Sequence, residues 1–217
     1  MKRFAFSAFI ALVVGATPAL AQYGPPPAAP AAAPAAAKPE NIRGVVKSLS
    51  GDVLTVDTAK GPLKVNLKPT GDVRTVAKYN LADIAPGAYV QAAGMPQPDG
   101  TLKAIEVSVI TSTPKAPESH RPWDLQPNST MTNANVTDIA SAKVQGVDNR
   151  VLTLTYKDGT KKMFVSPTTP VVTYVAADRS ALAPGTKVVI INATPNPDGS
   201  FAATNVTAGK NGIDPPM

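Results

Sequence analysis

Three segments of this sequence occur twice, in the same order and at nearly one spacing. GDVLTVDTAKG at 51–61 returns as NRVLTLTYKDG at 149–159. IAPGAYV at 84–90 returns as LAPGTKV at 182–188, and PQPDGTLKA at 96–104 as PNPDGSFAA at 195–203. The first two matches are offset by 98 residues and the third by 99. A repeat of this kind constrains the fold more than composition does, because matching sequences must bury matching faces. It reads as a tandem duplication with units at 41–111 and 134–210.

Each unit is patterned as strands. Leu54 and Val56 alternate with Thr55 and Asp57, and Leu63, Val65 and Leu67 alternate with Lys64, Asn66 and Lys68. Leu152, Leu154 and Tyr156, then Met163 and Val165, repeat the pattern. A period of two is that of a half-buried antiparallel strand. Asp158-Gly159 and the PDG triplets at 98–100 and 197–199 supply hairpin turns. Pro86-Gly87 and Pro184-Gly185 introduce the strands that follow. A short helix or irregular loop is expected before each Pro-Gly pair, at 78–84 and 176–182.

The last strand of each unit changes phase. Leu102 and Ala104 share a face, and the apolar set then resumes at Ile105, Val107 and Val109. Phe201 and Ala203 are likewise followed by Val206 and Ala208. One extra residue, a β-bulge, accounts for both slips and bends strands toward closure. Five or so short strands in about 70 residues, with a bulge and glycines at the bends, suggest a small barrel of the OB type. The expected fold is all-β, with two tandem OB-like small β-barrels; two small sandwiches are the alternative.

The pattern GVV…GDVLTV…IAPGAYVQAAG…PDGTLKAIEV within 44–107 resembles an uncharacterised family of bacterial exported proteins with OB-like small β-barrel domains. HRPWDLQPNSTMTNANV and the ending GKNGIDPPM are similar to uncharacterised exported proteins of proteobacteria. The resemblance covers nearly all of the mature chain. Its motifs are turn and strand residues, so it implies a fold and carries over no catalytic or ligand-binding residue.

The ends complete the plan. Lys2 and Arg3, an apolar run from Phe4 to about Gly15, and Ala19-Leu20-Ala21 make a secretory signal peptide over 1–21. The run is shorter than the roughly 20 apolar residues that span a bilayer, and no later stretch reaches that length. Residues 22–40, rich in Pro and Ala, read as a disordered, semi-rigid tether. A connector is expected at 112–133 and a tail at 211–217. Losing Lys2 and Arg3 lowers the net charge from +6 to +4, which favours solubility and weak attraction to anionic surfaces. Absence of cysteine leaves stability to ordinary cores. The expected location is periplasmic or secreted.

Little in the sequence suggests catalysis. One histidine and no cysteine leave out the commonest nucleophiles and bases, and the carboxylates sit singly in turns. No metal or cofactor is implied. Single-strand nucleic acid binding wants a basic groove with exposed aromatics, which the sequence lacks. Two sets of candidates remain. His120, Arg121, Trp123 and Asp124 cluster in the connector, where Trp123 is expected to wedge between the barrels or to contact a ligand. Lys64, Lys68, Lys161 and Lys162 lie on or beside the third strand of their units and form a candidate basic strip. The expected role is a non-catalytic structural or binding module. The alternative is a binder of an oligosaccharide, an anionic envelope polymer or a small ligand at the cleft between the barrels, with an envelope protein or anionic glycan as partner. A hydrolase with an unrecognised site is the least favoured reading.

Overall fold

The computed structural model describes residues 38–112, 114–144 and 146–215. The signal peptide expected at 1–21, and the tether as far as residue 37, lie outside the described residues. Glu40, placed at the end of that tether, already stands in a strand.

The described residues form twelve strands and no α-helix. The first half supplies β1 (Glu40–Ser50), β2 (Val53–Thr58), β3 (Gly61–Lys78), β4 (Tyr89–Pro96) and β5 (Leu102–Ile110). The second supplies β7 (Thr130–Val144), β8 (Val147–Tyr156), β9 (Gly159–Val165), β10 (Val171–Ala177), β11 (Lys187–Pro195) and β12 (Phe201–Ala208). Between them lies β6 (Ser119–Pro122). Single 3-10 turns at Leu81–Asp83 and Arg179–Ala181 occupy the two places before the Pro-Gly pairs.

The pairing is not the one the unit boundaries predict. β1, β2 and β3 close into a five-stranded ring with β12 and β11, which come from the other half of the chain. β7, β8 and β9 close a second ring with β5 and β4. The expected barrels at 41–111 and 134–210 are therefore corrected: each ring takes three strands from one half and two from the other. The first is called the outer-strand barrel here and the second the inner-strand barrel. Each has one parallel seam, β3 with β12 and β5 with β9, and is otherwise antiparallel around the ring.

The cores follow the rings, not the halves. Leu54, Val56 and Val65 of the first half are buried with Val188, Ile190 and Val206 of the second. Leu152, Leu154 and Met163 are buried with Val90, Leu102 and Val107. Fully burying one such side chain contributes about 1.5–3 kcal/mol. Neither half can bury its own apolar faces without the other.

One ribbon explains the exchange. The last six residues of β3, Val73–Lys78, pair antiparallel with Ala177–Val172 of β10. By the 98-residue offset, Val73 matches Val171 and Val76 matches Tyr174. Val76 pairs with Tyr174, its own counterpart, so a local two-fold axis passes through that pair. β-branched residues suit such a straight, extended run. The chain runs on from each barrel into the ribbon, and strands four and five are delivered to the opposite barrel. There Gly87 donates its N–H to the Val136 carbonyl at 2.8 Å, and Gly185 donates to that of Val46 at 2.8 Å.

The phase slips have two different geometries. β5 carries one extra residue, Ile105, against β4. β12 is irregular at Thr204 against β3, where β3 advances from Leu67 to Asp72 while β12 advances from Ala203 to Asn205; against β11 it keeps one register throughout. The extra length in the outer-strand barrel thus belongs to β3. Gly71 allows it, since a Cβ there would stand 2.5 Å from the Thr204 carbonyl oxygen. The connector is also shorter than expected. β6 pairs β7 between Ser119↔Asn133 and Pro122↔Thr130, so 119–122 and 130–133 belong to the sheet.

Cutting the chain at a protease site engineered into 111–116 tests the exchange. The two fragments should stay together through size-exclusion chromatography without denaturant, because each barrel needs both. Separation into two folded fragments would show barrels closed within each half.

Candidate functional site: the cleft between the barrels

The segment after β5 is a strap, held from both sides. Pro122 is the last residue of β6, and the chain then turns through 123–129 into β7. Ser129 is 1 % exposed and organises the turn. Its hydroxyl lies 3.1 Å from the Trp123 carbonyl and 2.8 Å from that of Gln126, and the Trp123 N–H donates to the Ser129 carbonyl at 2.8 Å. Asn128 takes a positive φ of 64°, a conformation that asparagine tolerates better than most residues. Further back, the Tyr89 hydroxyl donates to the Ala116 carbonyl.

Asp124 carries the strap across to the outer-strand barrel. Arg43 of β1 grips its carboxylate with two nitrogens, at 3.0 and 2.8 Å, and Asn41 donates to it at 3.1 Å. These bonds hold the Asp124 carboxyl below its ordinary pKa, the Arg43 hydrogen bond being the largest cause. Trp123 is half-buried. It packs on the small cluster of Ala93 and Met131, with Ile105, Leu125 and Tyr174 around it. The guanidinium of Arg121 lies 4.4 Å from the ring centroid and that of Arg43 lies 6.0 Å away. The structure therefore brings Arg121, Trp123 and Asp124 to the junction of the two barrels.

His120 is engaged elsewhere. Its Nδ1 is 2.9 Å from the Thr132 hydroxyl, and its ring is 5.8 Å from that of Tyr156. Burial, and then the charge of Lys161, hold its pKa below the ordinary value. The candidate basic strip is divided: Lys64 and Lys68 stand on β3 of the outer-strand barrel, and Lys161 and Lys162 on β9 of the inner-strand barrel.

A cleft of about 300 Å³ opens beside Trp123. Its lining has four sources. β11 and β12 give Val189, Ile191 and Thr207; β4 and β7 give Gln91, Met131 and Asn133. The ribbon gives Arg74 and Tyr174, and the strap adds Lys115 and Arg121. Arg74, Lys115 and Arg121 are cations, no described lining residue is acidic, and the Asp124 carboxylate acts electrostatically on Arg121. Arg74 stacks on Tyr174, 3.8 Å from the ring centroid, and donates from Nε to Thr207 at 2.8 Å. The Tyr174 hydroxyl is 3.2 Å from that of Ser108, and burial raises its pKa. Glu106 is buried within electrostatic range of Tyr174.

Two buried polar atoms of the lining residues have no hydrogen-bond partner: Trp123 Nε1 and Asn133 Oδ1. Asn133 is 6 % exposed, and its Nδ2 donates to the Pro117 carbonyl at 3.3 Å and the Ser119 hydroxyl at 3.4 Å. Those two bonds set the amide, so the acceptor is the atom left over. Sequence reasoning missed Arg74, Lys115, Asn133 and Tyr174. Arg74 and Tyr174 do leave a trace, since their counterparts at the 98-residue offset are the apolar Val172 and Val76. Among the described residues, no group of three or more His, Asp or Glu side chains is placed to hold a metal ion.

Trp123→Ala should lower the melting temperature by about 4–8 °C, from a loss of roughly 2 kcal/mol for a half-buried tryptophan. Removing the partly exposed Asp124 carboxylate should cost about 1 kcal/mol or less. A Trp123→Ala melt unchanged from the parent would show that the ring does not brace the junction. His120 adds a pH dependence. Its folded-state pKa is lowered, so its contribution is present above about pH 6.5 and is lost as the pH falls from there through the folded value. Between pH 7.5 and 5.5 the parent should lose more stability than His120→Gln; parallel melting curves would refute this.

Residues 43–108 match the family described as Domain of unknown function (DUF5666). That region runs from Arg43 in β1 to Ser108 in β5, and so contributes strands to both barrels. No curated protein and no solved structure matches the chain.

Proposed function

We propose that this chain is an exported, non-catalytic binding module that takes an anionic ligand in the cleft between its two barrels. The observation that carries the reading is the grouping of Arg74, Lys115 and Arg121 around one cleft whose described lining holds no acidic residue. Three cations with no acidic neighbour in the lining give the cleft a positive field that favours an anion. The basic n-region, short apolar run and Ala19-Leu20-Ala21 support export, hence a periplasmic or secreted location. The ring order, with strands one, two, three, five and four in turn and a parallel seam between three and five, supports an OB-type barrel. The matched segments support descent by tandem duplication. His120, hydrogen-bonded to Thr132 and packed on Tyr156, supports a role in packing over one in acid–base chemistry.

Trp123, the only tryptophan, reports on the cleft directly. Titrating the mature protein with citrate or inorganic phosphate at low ionic strength should change its fluorescence. The apparent affinity should weaken with added salt, and Arg121→Gln should reduce it at least tenfold. Emission and heat of mixing that stay flat for both anions at millimolar concentration would leave a purely structural module as the reading.

A further inference from the structure

We propose that residues 29–32, in the Pro/Ala-rich segment that precedes β1, dock as a short antiparallel strand on the open edge of β1 over Glu40–Gly44. The docking does not depend on an anion in the cleft. The two halves of the chain set the position. Arg43, Gly44 and Val45 pair with Val189, Val188 and Lys187, as Asn133, Ala134 and Asn135 pair with Gln91, Val90 and Tyr89. β1 and β7 therefore correspond at an offset of 90 residues. β7 is flanked on both sides at Thr130–Asn133, by β4 and by β6. β1 has β11 on one side of Glu40–Gly44, and β2 joins its other side only from Val45 onward. Among the described residues, no strand takes the place beside Glu40–Gly44 that β6 takes beside β7. A cleft of about 450 Å³ lies there, lined by Glu40 and Asn41, by Lys60 in the turn after β2, and by Trp123 and Asp124 of the strap. Its location fits that of β6: His120 of β6 lies against Tyr156 at the end of β8, and Thr58, the counterpart of Tyr156, ends β2 two residues before Lys60.

The occupant follows from where the described chain begins. Lys38 is the first described residue, two before β1. β6 reaches β7 through a seven-residue turn, 123–129. The same spacing before Glu40 gives 33–39 as the turn and 29–32, Ala-Pro-Ala-Ala, as the strand. A segment so near in the chain closes only a short loop, and it meets the edge at an effective concentration in the millimolar range, which favours it over a strand from a separate chain. Proline is tolerated at a sheet edge, where its missing N–H faces solvent, and β6 itself ends in Pro122. The fixed φ of proline also keeps the segment extended at little entropic cost. Ile42 is buried, so Asn41 and Arg43 lie on the outer face of β1, where they hold Asp124. Alanine side chains add no bulk beside that contact. An open strand edge invites pairing with other chains; the docked strand closes it and fixes the side on which the rest of the N-terminal segment leaves the barrel.

Amide hydrogen exchange along β1 tests this, in protein beginning at Gln22 and in protein beginning at Lys38. Within Glu40–Gly44, the amides that point away from β11 should exchange at least about tenfold more slowly in the longer protein. A variant of the longer protein with Ala29→Pro, Ala31→Pro and Ala32→Pro together leaves the docked strand no N–H to donate, and changes only residues outside both barrels. It should exchange like the shorter protein, and it keeps the test valid if truncation alone lowers the melting temperature. Equal exchange in the two lengths overturns the docking. Exchange in the proline variant that matches its parent overturns the pairing at 29–32. Protection that rises with protein concentration, together with a dimer in analytical ultracentrifugation, also overturns it and gives the edge to β1 of a second copy.

Discussion

The antiparallel ribbon between Val73–Lys78 and Val172–Ala177 governs this molecule. A chain that turned back at Gly71 would close each barrel from its own half. β3 instead runs to Lys78, eighteen residues in all, and meets its counterpart from the second half head to tail. Every later strand follows from that continuation. β4 and β5 fall to the inner-strand barrel, β11 and β12 to the outer-strand barrel, and the two cores become mutually dependent. The arrangement is that of a domain-swapped pair, here written into a single chain.

Exchange also creates the cleft. Because the ribbon lies on the local two-fold axis, the surfaces beside it come from both barrels at matching positions. Sequence differences between the two halves make the cleft asymmetric. At the 98-residue offset Arg74 stands where the other half has Val172, and Tyr174 where it has Val76. Asn133 pairs Gln91 as Arg43 pairs Val189, so the neutral amide on one side corresponds to the cation on the other. The strap, which has no counterpart before β1 among the described residues, falls on one side of this axis and adds Lys115, Arg121 and Trp123. The junction thereby gathers Arg74, Lys115 and Arg121 around one cleft.

Stability and binding meet in the same residues. Arg43 anchors Asp124 with two hydrogen bonds, and Asp124 fixes the turn that presents Trp123 and Arg121. The exposed ion pair contributes little energy alone. Its value lies in position, because it joins a strap that pairs with one barrel to a strand of the other. A ligand in the cleft would touch groups from both barrels, the ribbon and the strap at once.

The sequence by itself determined which residues face inward. The period-two alternation named Leu54, Val56, Leu63, Val65, Leu67, Leu152, Leu154, Tyr156, Met163 and Val165, all buried except the half-buried Leu63 and Tyr156, and the phase slip after Ala104 marked the bulge that the structure places at Ile105. The unusual pairing of a lone tryptophan with Arg121 and Asp124 marked the strap. Tertiary structure alone decided which strands close which barrel. Alternation specifies a face and never a partner, so the apolar patterns of the fourth and fifth strands do not say which ring they join. The cleft was illegible for the same reason: Arg74, Lys115, Asn133 and Tyr174 are far apart along the chain, and only the crossing of the ribbon brings them around one space.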